Sequence, residues 1–98
     1  MNNLNDRVVL ITGAAGGIGS ASARLMVSQG ANVIVHDVSE AAVRPLVDEL
    51  GSRATAVTAD LSDAGETERL WNEAYAIHGR IDALVNNAGM YPPAPLEA

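Results

Sequence analysis

The sequence predicts an α/β fold built on a parallel sheet, and three observations predict it. Four short apolar runs alternate with three stretches of helical periodicity. Glycines stand where the pattern changes, at Gly13, Gly30, Gly51 and Gly79. The connections are short, which calls for consecutive right-handed βαβ units. A length of 98 residues, 48% of them hydrophobic, suits one small globular domain.

Residues 7–12 carry Val8, Val9, Leu10 and Ile11 as a continuous apolar run, expected for a strand buried on both faces. Over 17–29, Ile18, Ala21, Leu25 and Met26 recur at helical spacing, and Gly30 ends the helix. A second strand is expected over 32–37. Ser39 is an N-cap with Glu40 in the first turn, and Val43, Leu46, Val47 and Leu50 form an apolar stripe that stops at Gly51. A third strand follows over 54–59. Asp63 and Glu66 have capping-box spacing, with Asp in place of Ser or Thr. The helix they open runs to about His78, with Leu70, Ala74 and Ile77 on its buried face and Gly79 as its end. Residues 81–86 supply a fourth strand, after which Pro92, Pro93 and Pro95 break the pattern. The expected division is an ordered unit over residues 1–89 and a Pro-rich tail over 90–98.

By analogy with doubly wound sheets the strand order is 3-2-1-4, with three covering helices and a crevice between strands 1 and 4. Into that crevice opens the run Thr12-Gly13-Ala14-Ala15-Gly16-Gly17-Ile18-Gly19. Unpaired N–H groups of a first helical turn and the positive end of the helix dipole together suit a pyrophosphate. Gly13 permits the sharp turn out of the strand, Gly17 lets backbone approach the phosphates, and Gly19 lets helix and sheet pack closely. The expected cofactor contacts on this loop are Thr12, Gly13, Ala15, Gly16, Gly17, Ile18 and Gly19. Asp37 ends the second strand 18 residues after Gly19, where a carboxylate can accept hydrogen bonds from both adenine-ribose hydroxyls. It would also repel a 2′-phosphate. No Arg lies in the glycine loop or beside Asp37 in the sequence, so the preferred cofactor is NAD rather than NADP.

The spacing Thr-Gly-x-x-x-Gly-x-Gly at 12–19, Asp37, Asp60-Leu61 after the third strand and Asn86-Asn87-Ala88-Gly89 after the fourth resembles the short-chain dehydrogenase/reductase family. The four signatures stand in the family's order and span essentially the whole chain. The Asn-Asn-Ala-Gly element is the most specific, because ordinary Rossmann proteins with the shorter glycine spacing lack it. The resemblance implies a Rossmann-type sheet in which Asp60 receives the adenine amino group and Leu61 helps line the adenine pocket. It also implies that Asn87, Ala88 and Gly89 border the cofactor beyond the ribose, and that Thr12 ties the glycine loop to the Asn-Asn-Ala-Gly turn. The implied reaction is hydride transfer between NAD(H) and an alcohol or carbonyl substrate.

The family's catalytic Ser and Tyr-x-x-x-Lys pair lie beyond the fourth strand, so the resemblance stops before the chemistry. A phenol near pKa 10 needs such a partner to work at neutral pH. Here Gly79 stands four residues after Tyr75, Pro95 four after Tyr91, and all six basic residues are Arg. The chain as given is therefore expected to bind without catalysing, truncated before the catalytic half, with no catalytic residue and no metal ligand. Tyr75 and Trp71 read as packing on the third helix, His78 as a helix-end residue, and His36 as an ordinary strand residue. Ser20, Ser22 and Ser28 have no base positioned beside them.

A formal charge of −6 would repel a nucleic-acid backbone, and no apolar stretch reaches membrane-spanning length. The chain has no Cys, which fits a reducing compartment and a cytoplasmic location. A fourth strand left at the sheet edge would favour self-association. An alternative is a stand-alone nucleotide-binding module or partner subunit. A third reading, a methyltransferase-like nucleoside site, conflicts with the spacing over 12–19 and with Asn86-Asn87-Ala88-Gly89.

Overall fold

A computed structural model of the chain describes residues 4–87. Ala88, Gly89, Tyr91 and the tail over 90–98 lie outside the described residues. The element order is β1 (Val8–Thr12), α1 (Gly17–Ser28), β2 (Asn32–Asp37), α2 (Glu40–Leu50), β3 (Ala54–Thr58), α3 (Ala64–His78) and β4 (Ala83–Asn86), with a 3-10 turn at Gly51–Arg53 between α2 and β3. The sheet order is β3-β2-β1-β4, and every pair is parallel. This is the fold class and strand order that the sequence predicts.

The central strands are buried because each is covered on both faces. Val9, Ile11, Val33 and Val35 pack with Ala23 of α1 and with Val43 and Leu46 of α2. Val8, Leu10 and Ile34 pack on the opposite face with Leu61, Leu70 and Ala74. The alternation along β1 and β2 thus divides between two cores, which is why both strands read as unbroken apolar runs.

β4 begins later than expected. The Val8 N–H donates to Asp82 Oδ2 at 2.8 Å, and the Asp82 N–H donates to the Val8 carbonyl at 2.8 Å. A carboxylate thus takes the donor that a strand carbonyl would otherwise meet.

The buried face of α1 differs from the large-residue stripe. Ile18 and Leu25 are 75% and 55% exposed, whereas Gly19 and Ala23 are buried, and Met26 and Val27 pack partly against the core. A helix that approaches a sheet closely needs small residues at the contact, and hydrophobic periodicity weights large ones. In α3 the buried residues are Thr67, Leu70 and Ala74. Ile77 and Tyr75 are exposed, while Trp71 packs partly against the core as expected. The last turn of α3 is only partly covered, Ile77 being 37% and Tyr75 57% exposed.

The helix ends follow local chemistry. Ser39 accepts the Ala42 N–H and caps α2. Asp63 caps α3, its side chain accepting from Gly65 and Glu66. The reciprocal half of the expected capping box is absent, because the Glu66 carboxylate is drawn to Arg69 at 2.8 Å and to the Asp60 N–H at 3.5 Å. Gly79 ends α3 in the left-handed region at φ 75°, donating its N–H to the Tyr75 carbonyl at 2.7 Å.

Candidate functional site

Parallel pairing puts the C-terminal ends of all four strands on one side of the sheet, and there Thr12, the glycine loop, Asp37, Asp60 and Asn87 gather; Ala88 and Gly89 lie outside the described residues. Thr12 closes β1 and is 2% exposed. The chain then turns at Gly13, whose φ of 65° favours glycine. Gly13 O accepts the Gly16 N–H at 3.2 Å, and Gly16 is the N-cap of α1 with no side-chain cap. The N–H groups of Gly17, Ile18 and Gly19 therefore open α1 without an intrahelical acceptor. No acidic residue occupies that first turn, so no side chain competes for its positive end.

Gly19 allows a very close approach. A Cβ there would lie 2.5 Å from Gly13 O and 2.9 Å from Ala14 Cα. The helix start is seated on the turn of the loop, which is a more specific reason for glycine than closeness to the sheet. At Gly17 a Cβ would meet nothing within 4 Å, so the protein itself gives no reason for glycine at that exposed position.

Asp37 faces this loop. Its Oδ2 accepts the Ala15 N–H at 3.0 Å and its Oδ1 accepts the Val38 N–H at 2.8 Å. Each carboxylate oxygen keeps a second lone pair for a further donor. Just past the end of β3, Ala59 leads into Asp60, whose Oδ1 accepts from the Ser62 hydroxyl at 2.7 Å and the Ser62 N–H at 3.0 Å. The hydroxyl first and the N–H second hold this exposed carboxyl below the usual carboxylate range. Leu61 is buried in the core with Leu70 and Ala74.

On the other side of β1, the Thr12 hydroxyl donates to Asn86 Oδ1 at 3.1 Å and accepts the Asn87 N–H at 3.2 Å. The tie between the glycine loop and the strand-four turn is present. Asn87 Nδ2 is buried with no hydrogen-bond partner among the described residues, and a buried amide donor of that kind calls for an acceptor.

His36 is the residue that sequence reasoning missed. It is 2% exposed, accepts the Gly13 N–H on Nδ1 at 3.3 Å and meets the Ala59 carbonyl with Nε2 at 2.9 Å. The available signal was its position: a polar ring inside an apolar strand, one residue before Asp37. Ser20 and Ser28 bond to helix carbonyls, and among the described residues no group of His, Cys, Asp and Glu is placed to hold a metal. No described helix is long and apolar enough to cross a membrane.

The sequence model of the family described as short chain dehydrogenase matches residues 7–98. The chain belongs to the short-chain dehydrogenase family. It is similar to the cis-4-hydroxycyclohexanecarboxylate dehydrogenase of Sinomonas cyclohexanicum, with 44% identity over 94 residues, 93% of this chain and 38% of that protein. A solved short chain dehydrogenase from Mycobacterium smegmatis matches with a TM-score of 0.85 and 37% identity, over 92% of this chain and 40% of that one. The 3-ketoacyl-(acyl-carrier-protein) reductase of Brucella melitensis, solved in complex with NADH, matches with a TM-score of 0.80 and 33% identity, over 84% of this chain and 34% of that one. This short-chain dehydrogenase chain thus spans well under half the length of the relatives it matches.

Proposed function

We propose that the chain binds the adenosine and pyrophosphate portion of NAD, as the N-terminal cofactor-binding part of an oxidoreductase acting on an alcohol or carbonyl. The observation that carries this reading is the pairing of Asp37 with the Ala15 N–H, beside the uncapped N–H groups of Gly17, Ile18 and Gly19. Phosphate oxygens suit those N–H groups, and ribose hydroxyls suit the free lone pairs of Asp37. Asn87 Nδ2, which lacks an acceptor among the described residues, offers a donor at the strand-four end. NAD supplies the hydride acceptor and NADH the donor when bound.

Thr12, Gly13, Ala15, Gly16 and Ile18 would shape the phosphate side, Asp60 and Leu61 the adenine side, and Ala88 and Gly89 would continue the border begun by Asn87. Asp37 favours NAD over NADP by repelling a 2′-phosphate. The NADH complex of the Brucella reductase supports a nicotinamide dinucleotide in this family member. With no Lys in its 98 residues, the chain by itself would bind and not turn over. Residues 1–89 would form the binding unit, in the cytoplasm. β4 is at the sheet edge among the described residues, where a second copy could pair.

Calorimetric titration of the chain with NADH and NADPH tests this. The expected NADH Kd is on the order of 0.1 to 1 mM, or about 4 to 5.5 kcal/mol, with NADPH weaker. Micromolar NADH binding that survives Asp37→Ala, or no NADH binding at all, would overturn it.

A further inference from the structure

The parallel ladders end before the loops that would face the nucleotide. The last register pairs are Ile11 with Val35 between β1 and β2, and Asp37 with Thr58 between β2 and β3. Beyond those rungs one backbone bond continues on each side, Ala14 N–H to the His36 carbonyl and Ala59 N–H to the Asp37 carbonyl. The His36 ring adds a bond to Gly13 and one to Ala59.

The His36 main chain accepts the Ala14 N–H at 2.7 Å. Its side chain accepts the Gly13 N–H at 3.3 Å on one ring nitrogen and reaches the Ala59 carbonyl at 2.9 Å with the other. A backbone N–H can only donate and a carbonyl can only accept, so Nδ1 must be bare and Nε2 must carry the proton. The Ala59 N–H in turn donates to the Asp37 carbonyl at 3.3 Å. Three segments meet at one buried ring: the glycine loop, the end of β2 that bears Asp37, and the turn that leads into Asp60.

We infer that His36 is a positioning residue for the nucleotide: its Nε2-protonated imidazole bridges Gly13 and Ala59 and so sets the spacing of the phosphate, ribose and adenine segments. The inference rests on the nucleotide reading above. Imidazole suits the task because it carries an acceptor and a donor on opposite sides of a rigid ring. Asn and Gln carry both on one terminal amide, so each can replace one contact. Asn places an oxygen near the Nδ1 position and can keep the Gly13 bond. Gln places its amide near the Nε2 position and can keep the Ala59 bond.

The test uses the 98-residue chain, NMR and NADH. In the ligand-free protein, ring nitrogen shifts should show the Nε2–H tautomer, and the Gly13 amide should exchange slowly. Protection of Gly13 should persist in His36→Asn and be lost in His36→Gln and His36→Leu. NADH binding should weaken about tenfold in His36→Leu, as expected for loss of net hydrogen-bond support, and His36→Asn should recover part of it. The Nδ1–H tautomer, an unprotected Gly13 amide, or NADH binding unchanged in all three variants would overturn the inference. Should His36→Leu fail to fold, the Asn and Gln variants and the wild-type spectra still decide it. Failure of the wild-type chain to bind NADH would instead overturn the nucleotide reading, while tautomer and Gly13 exchange would still judge the bridge.

Discussion

Asp37 Oδ2 accepts the Ala15 N–H at 3.0 Å, so the residue that closes β2 and the loop that leaves β1 hold one another. The same carboxylate accepts the Val38 N–H at 2.8 Å, which fixes its plane. We predict that Asp37→Ala weakens NADH binding about tenfold or more, because hydrogen bonds to a charged group contribute roughly 1.5 to 3 kcal/mol. NADPH binding should fall less, narrowing the ratio between the two. Calorimetry on both nucleotides reads this directly, and an unchanged ratio would remove Asp37 from the basis of cofactor choice.

Gly17 and Gly19 should behave oppositely on substitution. At Gly19 a Cβ would meet backbone, Gly13 O at 2.5 Å, and backbone cannot swing away. Gly19→Ala is expected to cost about 1 to 3 kcal/mol by overpacking, visible as a lower denaturation midpoint. Gly17→Ala has open space around it and should leave that midpoint nearly unchanged while weakening NADH, since the added methyl stands where phosphate would approach. A Gly17→Ala protein with full NADH affinity would contradict the phosphate assignment at that position.

Thr12→Val removes a buried hydroxyl that both donates to Asn86 Oδ1 and accepts from Asn87. The volume is nearly kept, so the loss reports hydrogen bonding and should be about 1 to 3 kcal/mol. Thr12→Ser should restore most of it. Equal stability of the Val variant in chemical denaturation would mean that the tie carries no net weight.

Asp82 links pH to the β1–β4 pair. The Arg80 guanidinium first, and the Val8 N–H second, hold its carboxyl below the usual carboxylate range. A group with a lower pKa folded than unfolded adds stability that is complete above the unfolded value, about 4 for Asp, and lost as pH falls through the folded value. Stability should therefore decline below about pH 4. Asp82→Asn should lower stability at neutral pH and flatten part of that acid decline. Denaturation midpoints measured from neutral to acidic pH check it, and an identical slope in the variant would exclude Asp82 as a contributor.

Much of the architecture was legible because it follows from local rules. Period switches located the strands and helices, glycines marked their ends, and Ser39 and Asp63 announced caps that the structure contains. The gathering of Thr12, Asp37 and Asn87 at the strand ends followed from parallel pairing. Less legible were the faces. Ile18 and Leu25 read as the buried side of α1, yet Gly19 and Ala23 hold that place. Close helix–sheet approach rewards the absence of side-chain volume, which a hydrophobic pattern scores as nothing.

The amino-acid order by itself determined the alternation of strands and helices and so the class of fold, since periodicity and turn chemistry act over a few residues at a time, while the strand order 3-2-1-4 was expected by analogy with doubly wound sheets. Only the tertiary structure decided which α1 and α3 residues are covered and what His36 does. Gly13 and Ala59 each lie 23 residues from His36, and a hydrogen bond at that separation exists only once the sheet has brought its three segments together.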